Sequence, residues 1–337
     1  MLQIVDDVNI TILVDNITDR LLPSLSLVKR PPMISNKKFN KPPIAEHGFS
    51  ALVEISYRYK DKKFKHKFLF DTGVSKNGII YNSNIFNINF KDIETIILSH
   101  GHFDHFSGLI SVLQKINRPI EIVAHADAFL KRWIVFPDGR KARMDILNEE
   151  NIREFGGIII KNNCINYLPR PKLKFTNNNK DNNNRFDKKN KRVLITGEIP
   201  RITNFEKGFP LQYKEGRDEN HLIADPFVND DQALVMLLKN KGLVILTGCG
   251  HAGIINTINY ARKATGIKKI YAIIGGFHLS GEEYEDTIPL TITELLRIDS
   301  EYIIPCHCTG WKASNEIIKA MPQKYLQTSV GSVFCFN

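Results

Sequence analysis

Short apolar runs broken by polar, glycine- and asparagine-bearing stretches recur along the chain, and their periods predict alternating strands and helices. Residues 10–14 read as a strand ending at Asp15-Asn16, whose short polar side chains can bond a turning backbone. Pro31, Pro32, Pro42 and Pro43, with the lysines between them, exclude regular structure from the loop 31–44. Residues 51–59 and 67–70 read as strands joined by a turn at Asp61-Lys62-Lys63, the second running into Asp71-Thr72-Gly73. A short helix is expected within 82–89 and a buried strand over 93–98. From Asp104 onward Leu109, Val112, Leu113 and Ile116 fall on one helical face. Residues 121–124 form a strand ending at His125, 126–133 read as helical, and 193–195 form a strand leading to Gly197-Glu198-Ile199-Pro200-Arg201.

The second half keeps the rhythm. Residues 233–238 and 243–246 make a hairpin around Asn240-Lys241-Gly242 that leads to Thr247-Gly248-Cys249-Gly250-His251. A helix over 253–264 returns to a strand, 269–274, ending at Gly275-Gly276-Phe277-His278. A helix over 288–297 returns to 302–304, which ends at Pro305-Cys306-His307-Cys308-Thr309-Gly310. Strand ends thus deliver Asp71, His100, Cys249, His278 and His307 in turn. In open α/β sheets the ligand site lies at such ends, so the pattern points to one pocket.

The densest chemistry is Ser99-His100-Gly101-His102-Phe103-Asp104-His105, four possible metal ligands launched from a buried strand. In an extended segment alternate side chains point the same way, so His100 and His102 can reach one ion while Asp104 and His105 serve another. Asp71, a carboxylate at a strand end, fits a turn former or the partner that fixes a ligand histidine's tautomer.

With 337 residues the chain can bury a full core, and its net charge of +10 is unevenly spread. Residues 171–192 hold eight basic residues against two acidic ones, and Lys29, Arg30, Lys37, Lys38 and Lys41 add five more. The segment 171–192 is asparagine- and lysine-rich with no apolar period and is expected to be a mobile insert. No basic groove is interleaved with aromatics, which argues against a nucleic-acid partner. There is no apolar span for a membrane and no basic-then-apolar leader at the N-terminus, so a cytoplasmic location is expected. Five cysteines, odd in number and unevenly placed, argue against a disulfide framework. Cys306-His307-Cys308 lacks the CxxC pair that a closed structural zinc site would bring.

The motif His100-Gly-His102-Phe-Asp104-His105 resembles the metallo-β-lactamase superfamily. Leu13-Val14-Asp15-Asn16, Glu46-His47-Gly48-Phe49-Ser50, Asp71-Thr72-Gly73, Gly197 to Arg201, Thr247 to His251, Gly275 to Leu279 and His307 to Gly310 resemble its archaeal dihydropteroate-synthase-like branch. The resemblance implies an α/β four-layer αβ/βα sandwich forming one domain over 1–337, with one or two ions, zinc by the nitrogen-rich ligands and otherwise manganese or iron. It implies one ion on His100, His102 and His251 and another on Asp104, His105 and His307. Cys249 stands where a bridging aspartate is usual and is either a ligand or a supporting group. The segment 227–232, which usually brings the third histidine, has none. His278 is a further ligand or, ranked ahead, a donor to substrate oxygen; Asp104 is expected to act on water or substrate, and His47 is structural or on the surface or, by its family motif, lines the pocket. His66, His125 and His221 are expected to be structural or on the surface. The implied activity is pterin transfer with pyrophosphate release, from a pterin diphosphate to an aryl ribofuranosyl phosphate; the rival is hydrolysis of a phosphoester or other ester. A non-catalytic metal-holding binding protein is disfavoured by the intact ligand set.

Overall fold

The computed structural model describes residues 1–169 and 190–337, so all but the last three residues of the insert expected over 171–192 lie outside the described residues. Two sheets face each other. The first runs in the order Gly157–Lys161, Ile120–Ala124, Thr95–Ile97, Lys62–Phe70, Ser50–Tyr59, Asp7–Val14, Val333–Phe336 and Val28–Lys29. The second runs Asn166–Leu168, Val193–Ile195, Leu234–Leu238, Gly242–Leu246, Ile270–Gly275 and Tyr302–Pro305, with Ile4–Val5 beside Leu234–Leu238.

The alternation of side chains along each strand sorts residues between layers. Val244 and Leu246 enter the core between the sheets with Ile10, Val53, Phe68 and Phe70, while Leu243 and Ile245 face the helices outside. Ile97 likewise points inward, and Ile96 and Leu98 outward. Helices Ile254–Thr265, Thr287–Ile298 and Trp311–Ala320 cover the second sheet. Gly78–Ile85, Leu109–Ile116 and Glu149–Glu154 cover the first. The layers are therefore helix, sheet, sheet, helix, the four-layer αβ/βα sandwich expected. Each fully buried aliphatic or aromatic side chain in the central core contributes about 1.5–3 kcal/mol over leaving it in water. Among the described residues no helix is long and apolar enough to cross a membrane.

Where strands run parallel, their C-terminal ends share one edge. Lys62–Phe70, Thr95–Ile97 and Ile120–Ala124 are mutually parallel, as are Gly242–Leu246, Ile270–Gly275 and Tyr302–Pro305. The loops that follow them carry Asp71, His100 to His105, Cys249, His278 and His307.

Four local expectations are corrected. The short helix expected within 82–89 starts earlier, at Gly78, and ends at Ile85. Residues 126–133 are not a helix: a 3₁₀ turn, Ala126–Phe129, is capped by His125 Nδ1 accepting from Asp127 N, and the strand Arg132–Val135 follows. Arg-Trp-Ile-Val suits a pleated surface, and pairing with Gln212–Glu215 overrides the short helical pattern. The loop 31–44 holds a small hairpin, Ile34–Ser35 with Lys38–Phe39, turning through Asn36 and Lys37 at positive φ. The long hairpin turns at Lys60-Asp61, with φ of 48° and 60°, so Lys62 and Lys63 already pair in the strand. A four-stranded antiparallel sheet, Lys141–Arg143, Arg132–Val135, Gln212–Glu215 and Leu222–Ala224, has no counterpart among the sequence expectations.

Candidate metal centre

Phe70 ends its strand and Asp71 follows at φ 58°, fully buried. Its carboxylate accepts from Ser99 N and Ser99 Oγ, both at 2.6 Å, and lies 2.7 Å from His105 Nδ1. A hydrogen bond at Nδ1 leaves His105 Nε2 as the ligand nitrogen, the tautomer-fixing arrangement of a metal-bound imidazole. Ser99 Oγ also lies 2.9 Å from His100 Nδ1, and His100 Nε2 is buried without a hydrogen-bond partner.

His102 is oriented from the other side. Gln212 donates from Nε2 to Asp225, so its Oε1 meets His102 Nε2 as an acceptor; His102 keeps its proton there and presents a bare Nδ1. That Nδ1 is 3.1 Å from His251 Nε2. The rings of His100, His102 and His251 stand 4.4–4.8 Å apart, centroid to centroid. Burial and neighbouring cationic groups lower His100 and His251 well below the ordinary histidine value, and burial with Arg132 nearby brings His102 down to about 4. His100 Nε2 and His251 Nδ1 are both buried without a hydrogen-bond partner, and the ligand atoms of His100, His251 and Cys249 lie within 4.8 Å of one another, a set that could hold a cation; His102 joins no such set and faces His251 instead.

Beside them Asp104 Oδ2 lies 3.5 Å from His105 Nε2 and 3.3 Å from His307 Nε2, while Cys249 Sγ lies 3.1 and 3.3 Å from the same nitrogens. A tetrahedral zinc with ordinary bond lengths separates its ligand atoms by about 3.3–3.6 Å, so the two Asp104 distances match and the Cys249 sulfur would move outward by a few tenths of an ångström. Burial works against charge on Asp104, yet His105 and His307 hold it well below the usual carboxylate range. Burial also opposes charge on His105, but Asp104 and Asp71 raise it to about 9, the negative potential a bound cation would feel. Cys249 therefore sits within reach of both groups of ligands.

His307 is held from the N-terminal strand. Its N–H donates to Asp15 Oδ1 at 2.8 Å, its Nδ1 lies 3.2 Å from Asn16 Oδ1, and its backbone stands at φ 50°. Asn16 Nδ2 donates to the His307 carbonyl and lies 3.3 Å from Nδ1 of His47, an exposed ring 5.4 Å from that of His307. His278, at φ 46°, packs 4.0 Å from His251 and 4.9 Å from Tyr284, ring to ring. His66 pairs instead with Glu94 under Tyr57, and His221 is exposed.

Several residues here were not singled out from sequence. Arg132, buried, grips Asp230 with both terminal nitrogens, and Asp230 Oδ2 accepts from Gly101 N at 2.7 Å, between His100 and His102. Asp231 accepts from Ala252 N, next to His251, and Gln232 bonds Ser99 O and Leu98 O. The segment without a histidine thus braces the loops that carry the ligands. Cys308, whose Sγ donates to Cys249 O at 3.2 Å, also joins the centre; its cue was Cys306-His307-Cys308, set aside for want of a CxxC pair.

A family model described as metallo-beta-lactamase superfamily matches residues 61–174. The chain is 31% identical over 303 residues to the 7,8-dihydropterin-6-methyl-4-(beta-D-ribofuranosyl)-aminobenzene-5'-phosphate synthase of Methanocaldococcus jannaschii, covering 88% of this chain and 92% of that protein. It is 32% identical over 282 residues to the uncharacterized protein MJ0448 of the same organism, covering 83% and 89%. The solved structure of Tm1679, described as a metal-dependent hydrolase of the beta-lactamase superfamily, superposes with a TM-score of 0.66 at 21% identity over 98% of both chains, a likeness of fold.

Proposed function

Because this chain belongs to the metallo-β-lactamase superfamily, in the branch of the Methanocaldococcus jannaschii pterin synthase, we propose that it is a metal-dependent transferase joining a pterin to an aryl ribofuranosyl phosphate with release of pyrophosphate. The observation that supports metal dependence is the convergence of Asp104 Oδ2, His105 Nε2, Cys249 Sγ and His307 Nε2 at ligand spacing. His100, His102 and His251 would hold one zinc ion, and Asp104, His105, His307 and Cys249 a second. Bound there, such ions supply positive charge for the diphosphate oxygens of an anionic substrate.

The residues then divide the work. Asp71 and Ser99 orient His105 and His100, and Gln212 orients His102. Asp104, held ionised by its two histidines, orients rather than stores a proton, because a carboxylate so far below neutrality is a weak base. His47, exposed beside Asn16 and His307, meets the substrate at the mouth.

The test is incubation of zinc-loaded protein with a pterin diphosphate and the arylamine ribofuranosyl phosphate, followed by product mass and pyrophosphate. A condensed product with one pyrophosphate per product is expected. Hydrolysed pterin with no condensed product, at full metal loading, would overturn the transferase reading in favour of a hydrolase.

A further inference from the structure

The two ligand groups above leave a third set of donors at the same edge unassigned. One nitrogen of His278 and the sulfurs of Cys249 and Cys308 all lie within 4.8 Å of one another. Both ring nitrogens of His278 are buried and meet no partner at good hydrogen-bond geometry, although the ring lies close enough to the Cys308 thiol to act on it. The residue is also held at φ 46°, a backbone conformation that non-glycine residues adopt where surrounding structure imposes it. Cys308 reaches this place because residue 276 is glycine: a Cβ there would stand 2.6 Å from Cys308 Sγ. A cavity of 20 Å³ opens on the His278 side, lined by Gly250, His251, Phe277, His278 and Tyr284 but by neither cysteine.

We infer that Cys249, Cys308 and His278 form a further zinc seat, joined through the shared Cys249 thiolate to the ion on Asp104, His105 and His307. Two cysteines and a histidine are a donor set that zinc accepts, and their softness disfavours manganese or magnesium. Of the two roles the sequence leaves open for His278, this one makes it a ligand. Metal binding displaces the Cys308 Sγ–H proton to solvent and ends its hydrogen bond to Cys249 O. Because Cys249 divides its electron density between two ions, the seat fills after its neighbour.

The inference rests on the metal centre proposed above, and one titration separates the two. Reduced, chelator-stripped full-length protein is titrated anaerobically with Co²⁺, reading the thiolate-to-cobalt charge-transfer band, and the zinc content of reloaded protein is counted. The parent should take up three equivalents, with the band still rising in the third. Cys308→Ser, which keeps a donor for Cys249 O, should take up two, with the band complete at the second; His278→Gln should also lose one equivalent. Far-UV circular dichroism and unfolding midpoints identify any variant that has merely unfolded. Equal uptake and equal band growth in the parent and both variants would overturn this seat while leaving the two-ion centre standing. No uptake by the parent would overturn both. A Cys249–Cys308 disulfide in the parent under the reducing conditions used, seen by mass, would also overturn it.

Discussion

Replacing Asp230 by alanine tests whether the ligand loop is held by a buried charge pair. In the native fold Arg132 and Asp230 are 1% and 0% exposed, and Arg132 keeps Asp230 below the usual carboxylate range despite burial. Asp230→Ala leaves the guanidinium without its bidentate partner; breaking a buried pair from one side costs about 3–5 kcal/mol. It also orphans Gly101 N, a buried donor worth about 1–3 kcal/mol when left unmade. Asp225 Oδ2, 3.6 Å from Arg132 Nε, takes over part of the charge, so the sum falls at about 4 kcal/mol. That is a large fraction of the 5–15 kcal/mol typical of a folded protein. Urea unfolding followed by far-UV circular dichroism should show the midpoint falling by about 1 M or more for a slope near 3 kcal/mol per molar. Zinc content should fall as well, because Gly101 spaces His100 from His102. A loss under about 1 kcal/mol, or an unchanged zinc count in folded variant, would refute the reasoning. The double variant Arg132→Met with Asp230→Leu should recover much of the lost stability without recovering the position of Gly101, separating charge burial from loop placement.

Other expectations follow from the same geometry. A Cβ on Gly101 would lie 2.2 Å from the Ala128 carbonyl oxygen, so Gly101→Ala must displace backbone and should release the ion proposed for His100, His102 and His251, read by elemental analysis; a full complement would count against that seat. Asp71→Asn keeps the shape but removes the charge behind His105 Nδ1, and zinc affinity in competition with a chelator should weaken by about 10–100-fold. Burial raises the Asp231 carboxyl to about 7 from an ordinary 3.8, so between those values the folded protein holds a proton the unfolded chain has lost. Stability of chelator-treated protein should therefore fall as pH rises from about 4 to 7, by at most about 1.4 kcal/mol per pH unit from this group, and Asp231→Asn should flatten that slope. An unchanged slope in the variant would put the titration elsewhere.

The candidate ligands were legible in the sequence because each is local to its own strand end. An apolar run followed by glycine and a histidine, cysteine or aspartate needs no long-range knowledge, and the parallel strands then bring the ends together. The same holds for layer assignment: the period-2 alternation of Leu243 to Leu246 is enough to say which side chains meet the helices. Boundaries and edges were less legible. Residues 126–133 carry too short a pattern to resist pairing with Gln212–Glu215, a partner some eighty residues away that supplies hydrogen bonds no local propensity can match.

Polar braces are the part that sequence patterns hide. Asp230 reaches Gly101 across 129 positions and Arg132 across 98, and nothing in Asn229-Asp230-Asp231-Gln232 distinguishes a buried clamp from an exposed acidic turn. Judged by residue type, that segment only lacks the expected histidine. Judged by contacts, Asp230 fixes the spacing of His100 and His102, Gln232 holds the strand end before them, and Asp231 holds Ala252 beside His251. The third imidazole therefore arrives on the very loop that Asp231 secures, 3.1 Å from His102. Moving a histidine to 230, 231 or 232 would sacrifice one of these bonds, so at those three positions the brace excludes the expected ligand.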